Sequence, residues 1–118
     1  MAVFMAEHRR PLTEEMLAIS PWCEVCPKIV LVDPGWLRRL GRLDDHGRVR
    51  DHHADALHEL RKSGQGGSKL NRANLLRSCN LGNGWVEDNP LLARAAGLVV
   101  IRGDLAYASL GADQDGER

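Results

Sequence analysis

The sequence predicts a small α+β domain, and three observations support this expectation. The chain has 118 residues, which is enough for one domain with one modest apolar core. Two short segments with strand character lie on either side of a loop rich in glycine and serine. A segment with apolar residues at helical spacing follows the second of them, so two strands and a helix come in that order.

The first part of the chain predicts a short helix before the domain. Leu12 to Leu17 has helical character, with Thr13 as the expected N-cap and acidic residues in the first turn. The β-branched run from Lys28 to Asp33 predicts a short strand. Gly35 to Gly41 has its apolar residues at helical spacing.

The second part of the chain predicts the core elements. In order, we expect a strand from Ala54 to Leu60, a loop from Arg61 to Ala73, a strand from Asn74 to Ser78, a helix from Gly82 to Ala96 and a strand from Leu98 to Ile101. In the first strand, Leu57 and His58 point to opposite faces. Pro90 either kinks the helix or starts a second one.

These elements predict three regions. Residues 1–21 form an N-terminal leader, residues 22–112 form the domain with an insert at 27–51, and the acidic residues 113–118 form a disordered tail. The chain contains no apolar run of the ~20 residues that a membrane span needs. Its N-terminus lacks the layout of a signal peptide, so we expect a cytoplasmic protein without a membrane partner.

The net charge is zero, but the charges are not evenly spread. No acidic residue occurs between Leu60 and Val86, where the basic residues are Arg61, Lys62, Lys69, Arg72 and Arg77. Local cations can bind phosphates whatever the net charge, so these five residues are predicted to contact DNA. A solvated loop that lacks acidic residues explains the same pattern equally well.

Three cysteines, Cys23, Cys26 and Cys79, form a candidate structural zinc site. An odd number of cysteines in a chain without a signal peptide argues against a disulfide framework. Zinc prefers four ligands, and the position where a fourth thiolate would complete a second Cys-x-x-Cys pair is Gly82. Either a histidine (His46, His52 or His53) supplies the fourth ligand, or the zinc site is lost and the thiols are free.

One further set of residues has a characteristic order: His58-Glu59, Gly66-Gly67, Asn74-Leu75-Leu76, Cys79, Trp85-Val86-Glu87, Asn89-Pro90, Ala93 and Gly97-Leu98. This order and spacing resemble the phage-type members of the HNH endonucleases. The resemblance covers roughly His58 to Val100 and implies a ββα-metal (His-Me finger) core. This core is extended by the N-terminal helix and by the cysteine knuckle, the turn from Trp22 to Pro27 that contains Cys23 and Cys26. Since Asn83 stands at the last motif position, the chain resembles the H-N-N variant of the family.

The resemblance implies roles for several residues. His58 and Asn83 fall on the metal ligands, and Asn74 falls on the central asparagine that holds the loop. An amide oxygen suits Mg²⁺ or Mn²⁺ better than Zn²⁺. At the site formed by His58 and Asn83, Ni²⁺ and Zn²⁺ are the alternatives. Each residue also has a simpler explanation: His58 as a core histidine, Asn74 as a turn residue and Asn83 as a helix N-cap.

Glu59 departs from the family pattern, because the resemblance places a general-base histidine there. A carboxylate is a weak base at neutral pH unless burial raises its pKa. Three alternatives follow. Glu59 acts as the catalytic group, or His52 or His53 replaces it as the base, or His58 itself is the base and Asp55 or a nearby group is the metal ligand.

The resemblance implies a metal-dependent DNA endonuclease that hydrolyses phosphodiester bonds. In phages, similar small proteins work beside the terminase during genome packaging, so a terminase or another packaging protein is an implied partner, and a phage-encoded chain would act in the host cytoplasm. The alternative is a catalytically weak or inactive module of the same fold that binds DNA or protein.

Overall fold

Two antiparallel strands and the helix that follows them form the centre of the fold. The computed structural model describes residues 2–62, 66–68, 70–104, 107 and 109–111, with the backbone alone for residues 2–8 and 109. Strand β1 (Ala56–Glu59) pairs with strand β2 (Leu75–Ser78), with His58 opposite Leu76. The helices are α1 (Ala2–Ile19), α2 (Cys26–Ile29), α3 (Pro34–Arg39), α4 (Asn80–Asp88) and α5 (Pro90–Ala95), with 3₁₀ turns at Arg72–Asn74 and Ser109–Gly111. This combination confirms the predicted α+β class.

The two faces of the hairpin contact different parts of the chain. Leu57 lies opposite Arg77 and Glu59 lies opposite Leu75, so these four side chains share one face, because successive side chains of a strand alternate. Helix α1 covers this face, where Met16 packs with both leucines. The other face carries His58 and Leu76, and Leu76 packs against the larger core. The prediction that Leu57 and His58 point to opposite faces is therefore confirmed.

The larger core joins the helices of the insert to those that follow the hairpin. Its buried residues are Cys23, Val25, Cys26, Ile29, Leu37, Cys79, Trp85, Val86, Ala93, Ala96 and Leu98. Asp33 links the two halves, because one of its oxygens accepts a bond from the backbone N–H of Trp36 and the other accepts 2.9 Å from the indole N–H of Trp85. The core thus fixes the start of α4 relative to the insert.

The strand predicted from Lys28 to Asp33 is wrong, since this segment is part of helix α2 and the turn after it. The N–H groups of Lys28 and Ile29 both donate to the carbonyl of Val25. Val25, Cys26 and Ile29 are fully buried, and this spacing places them on one side of a helical turn. Packing against the core therefore overrides the strand preference of β-branched residues.

The final strand predicted from Leu98 to Ile101 is also wrong, because no strand is assigned there. This segment is joined to the residue after β1 by a hydrogen bond from the N–H of Val100 to the carbonyl of Leu60, and Asp104 accepts the N–H of Ile101 in a turn. Thr13 is not an N-cap but lies inside α1, where its hydroxyl donates to the carbonyl of Arg9.

Among the described helices, none has the length and apolar character needed to cross a membrane.

The interruption near Pro90 resolves the two alternatives for the predicted long helix. Helix α4 ends at Asp88 and α5 starts at Pro90, where a missing N–H does no harm. Gly97 has a φ of +79° directly after α5, as expected for a residue that ends a helix.

Candidate metal centre and the adjoining histidine

Three buried cysteines and one histidine meet beside the hairpin. The sulfur atoms of Cys23, Cys26 and Cys79 and a ring nitrogen of His52 all lie within 4.8 Å of one another. Cys26 begins α2 and Cys79 is the N-cap of α4, so two helix starts bring their thiols together. The N–H of Cys23 donates 2.9 Å to the carbonyl of His52, which holds the histidine segment against the knuckle. These four residues are close enough to hold a metal ion.

Backbone N–H groups point at the sulfur atoms. The N–H groups of Cys26 and Cys79 lie 3.5 and 3.4 Å from Sγ of Cys23. The N–H of Gly82 lies 3.2 Å from Sγ of Cys79. Hydrogen bonds to a charged acceptor are stronger than those to a neutral one, so these donors favour thiolates. The thiolate is also the form of cysteine that binds metals.

The thiols do not ionise independently, because their sulfur atoms are so close together. The pKa of Cys79 is lowered by hydrogen bonds with the other two thiols, and then by the N–H of Gly82 and the guanidinium of Arg42. The pKa of Cys26 is raised by its hydrogen bonds with Cys23 and Cys79 and by burial. The cluster therefore accepts a first negative charge readily and resists a second one unless a cation is bound.

The two ring nitrogens of His52 have different surroundings. Its Nδ1 lies 2.9 Å from the carbonyl oxygen of Arg50. A carbonyl can only accept, so Nδ1 carries the proton and Nε2 has a lone pair. Nε2 is buried and has no hydrogen-bond partner among the described residues. A buried polar atom without a partner is costly, and a metal ion bound by Nε2 and the three sulfurs would satisfy it.

The structure selects one of the three histidines left open by the sequence. His46 is exposed in a turn, where its N–H donates to Asp44. His53 is exposed and its ring packs on Trp22, with ring centroids 5.1 Å apart. His52 alone of the three joins the cysteines within the described chain. A search for Cys-x-x-Cys pairs misses it because its ring reaches the cysteines only in the folded chain.

His58 lies on the other side of the hairpin from α1. It is 3% exposed, and its Nε2 lies 2.6 Å from the carbonyl oxygen of Leu98. Burial lowers the pKa of His58, so the ring is neutral at pH 7. Since the carbonyl accepts, Nε2 carries the single proton and Nδ1 keeps a lone pair. Nδ1 has no hydrogen-bond partner among the described residues.

Asn74 holds the two ends of the glycine-rich loop together. It is fully buried, its Oδ1 accepts the N–H of Arg61 at 2.8 Å, and its Nδ2 donates to the carbonyls of Arg61 (3.0 Å) and Ser68 (2.7 Å). A Cβ at Gly67 would overlap the carbonyl group of Arg61. This glycine therefore permits a close approach of the chain to itself, whereas Gly64, Gln65 and Lys69 of the same loop lie outside the described residues.

Asn83 lies within the first turn of α4 and is not its N-cap, which is Cys79. Glu87 follows one helical turn later on the same side of α4, and its carboxylate accepts a hydrogen bond from Lys62 at 3.2 Å. The charges of Lys62, Glu59 and Glu87 all act on the pKa of His58, after the larger effects of burial and the carbonyl of Leu98. Sequence reasoning missed Glu87, although the four-residue spacing from Asn83 on a helix could have indicated it.

Glu59 is on the opposite face of the hairpin from His58, under α1. Its carboxylate accepts from Arg9 at 3.0 Å, and the same guanidinium donates to the carbonyl of Leu57. The Glu59 side chain is 11% exposed. The residue expected to act as a base is therefore held in an ion pair away from the histidine.

Four of the five basic residues predicted to bind DNA have partners within the chain, and the fifth, Lys69, lies outside the described residues. Lys62 pairs with Glu87, Arg72 with Glu15, and Arg77 with Glu24. The guanidinium of Arg61 lies 3.6 Å from the ring centroid of Tyr107. DNA would therefore have to compete with these internal contacts for the four cations.

Comparisons of the chain with protein-family models, curated proteins and solved structures found no match. The resemblance to HNH endonucleases therefore stays a prediction. The functional interpretation depends on the residues of the metal centre and on the neighbouring histidine.

Proposed function

We propose that Cys23, Cys26, Cys79 and His52 bind one zinc ion that fixes the knuckle to the hairpin and α4. The main support for this proposal is that a ring nitrogen of His52 and the three sulfur atoms lie within 4.8 Å of one another, and that Nε2 of His52 is buried without a partner among the described residues. Zinc favours nitrogen and sulfur ligands in tetrahedral geometry, and four protein ligands leave no position for a substrate. The proposed role of this ion is therefore structural.

Zinc analysis of the purified protein tests this role. We expect about one equivalent of zinc, as for other four-ligand structural sites. His52→Ala and Cys79→Ser should lower this content, whereas His53→Ala should not, because His53 packs on Trp22 outside the cluster. Equal zinc contents in wild type and Cys79→Ser would contradict the proposal.

We also propose that the protein hydrolyses DNA phosphodiester bonds, as the HNH resemblance implies. The neutral ring of His58 supports this proposal, because its proton is held by Leu98 and the lone pair of Nδ1 is available. Asn83 and Glu87, one turn apart on α4, would supply oxygen ligands for Mg²⁺ or Mn²⁺. A divalent ion there would stabilise the developing charge on the leaving oxygen.

His58 has one lone pair, so it either binds the cation or accepts a proton from water. Metal titration of His58→Ala separates these roles, since lost affinity indicates a ligand and unchanged affinity with lost activity indicates a base. Glu59 lies on the other face of the hairpin and is paired with Arg9, so we do not assign it the proton transfer. Asn74 contributes by holding the loop that follows β1.

A plasmid-nicking assay with Mg²⁺, Mn²⁺, Ni²⁺ and Zn²⁺ tests the nuclease proposal. Loss of a general base or a ligand should lower the rate about 10²–10⁴-fold in His58→Ala. His46→Ala is the matched control, because His46 is exposed in a turn of the insert. Wild-type nicking no faster than that of His58→Ala would refute the proposal. Glu59→Gln should change the rate little, and a strong decrease in a stable variant would return Glu59 to the mechanism.

The second candidate function is an inactive module of the same fold that binds DNA or protein. The Arg9–Glu59 ion pair favours it, because it occupies the carboxylate at the position where the resemblance places a general base. DNA binding that weakens with salt, without nicking under any of the four metals, would support this alternative.

A further inference from the structure

The insert between the knuckle and β1 carries a cation that no proposed role has used so far. Nη1 of Arg42 lies 3.1 Å from Sγ of Cys79 and 3.9 Å from Sγ of Cys26. The Arg42 residue is partly buried, so its charge is only partly screened by solvent. Guanidinium groups are always protonated and can only donate, so both contacts run from nitrogen to sulfur.

The backbone around Arg42 is fixed on both sides. Its N–H donates to the carbonyl of Leu37 at 2.9 Å, and its carbonyl accepts from Arg50 at 2.7 Å. Leu43 and Val49 form a bridge around a turn in which Asp44 accepts the N–H groups of His46 and Arg48. The guanidinium therefore projects from a hydrogen-bonded turn of the insert, residues 42–50, rather than from a free loop.

The same turn of the insert also orients His52, the histidine of the cluster. The carbonyl of Arg50 accepts the proton on Nδ1 of His52. One backbone hydrogen bond, from Arg50 to Arg42, joins the residue that orients His52 to the residue that contacts Cys79. The insert thus presents both a cation and a carbonyl to the metal centre.

We infer that Arg42 is a positioning residue that strengthens metal binding from outside the ligand set. This inference rests on the proposed zinc site. A divalent ion with three thiolates and a neutral imidazole has a net charge of −1, and the guanidinium brings this sum to zero. A hydrogen bond to a ligand sulfur also orients the thiolate, and loss of such outer partners typically lowers metal affinity about 10–100-fold.

Zinc affinity measured by competition with a chromophoric chelator tests the inference. Arg42→Met removes the charge and the donors at similar length, and we expect about 10–100-fold weaker binding. Arg42→Lys keeps the charge without the planar fork and should fall between Arg42→Met and wild type. Arg39→Met is the control, because Arg39 is exposed at the end of α3.

A second measurement keeps the inference testable if Arg42→Met folds poorly. In the Co²⁺-substituted protein, replacement of the guanidinium donor to Cys79 by an ammonium should shift the sulfur-to-metal charge-transfer bands in Arg42→Lys as well. Affinity and bands equal to those of Arg39→Met would overturn the role of Arg42 and leave the zinc site intact. A wild-type protein that binds no zinc would refute the zinc site and this inference together.

Discussion

Substitution of Asn74 by alanine should be among the most destabilising changes in the chain. The variant removes three hydrogen bonds from a fully buried amide, each with a net contribution of roughly 0.5–1.5 kcal/mol. It also leaves the N–H of Arg61 and the carbonyls of Arg61 and Ser68 without this partner. Allowing for water that enters the vacated space, we expect a loss of about 3–5 kcal/mol in the free energy of unfolding.

Urea denaturation of the zinc-loaded protein measures this loss. For a slope of about 1–3 kcal/mol per molar urea, the midpoint should move by roughly 1–5 M. Asn89→Ala is the matched control, because its amide makes one half-buried bond to the carbonyl of Trp85, so it should lose only about 1 kcal/mol. Equal losses in the two variants would refute the reasoning that Asn74 organises the loop.

Two further predictions concern backbone space and pH. Gly67→Ala should unfold the loop, since the added Cβ would overlap the carbonyl of Arg61. Gly84→Ala lies inside α4, where the added Cβ meets no atom within 4 Å, so this variant should stabilise the folded protein by up to about 1 kcal/mol. Thermal melts of both variants test this contrast, and similar melting temperatures would contradict the prediction. The pKa of His58 is lower in the folded protein than its ordinary value of 6.5. The stability that the neutral ring contributes is therefore complete above pH 6.5 and is lost as the pH falls through the pKa of the folded state. His58→Gln, which can still donate to Leu98, should therefore lose less stability than wild type between pH 7 and pH 5 in urea titrations, and parallel pH profiles would argue against this assignment.

Local patterns predicted the central elements well. The strand alternation around Leu57 and His58, the polar loop and the apolar spacing of α4 are all properties of neighbouring residues, so a single sequence contains them. Pro90 and Gly97 act through their own backbone geometry, so the break between α4 and α5 and the end of α5 could also be anticipated.

Contacts between distant residues could not be predicted in the same way. The choice of His52 over His46 and His53 depends on a bridge between Trp22 and His53 that forms only on folding. The ion pair of Glu59 joins residues 50 positions apart. The helix at Cys26–Ile29 depends on burial in the core, which competes with the local preference of its β-branched residues.

The separation of the apolar residues into two clusters has a consequence for how the molecule opens. Among the side chains that the structure describes, the cluster under α1 contains Met16, Leu57 and Leu75 as buried residues, with Leu12 at its edge. The larger cluster is the one that includes the cysteines. Since local opening is easiest where few apolar contacts are broken, α1 should detach as a separate cooperative unit while the knuckle stays closed. Amide hydrogens of α1 and of the Glu59 side of the hairpin would then exchange before those of α4, and the opened form would expose Glu59 to solvent.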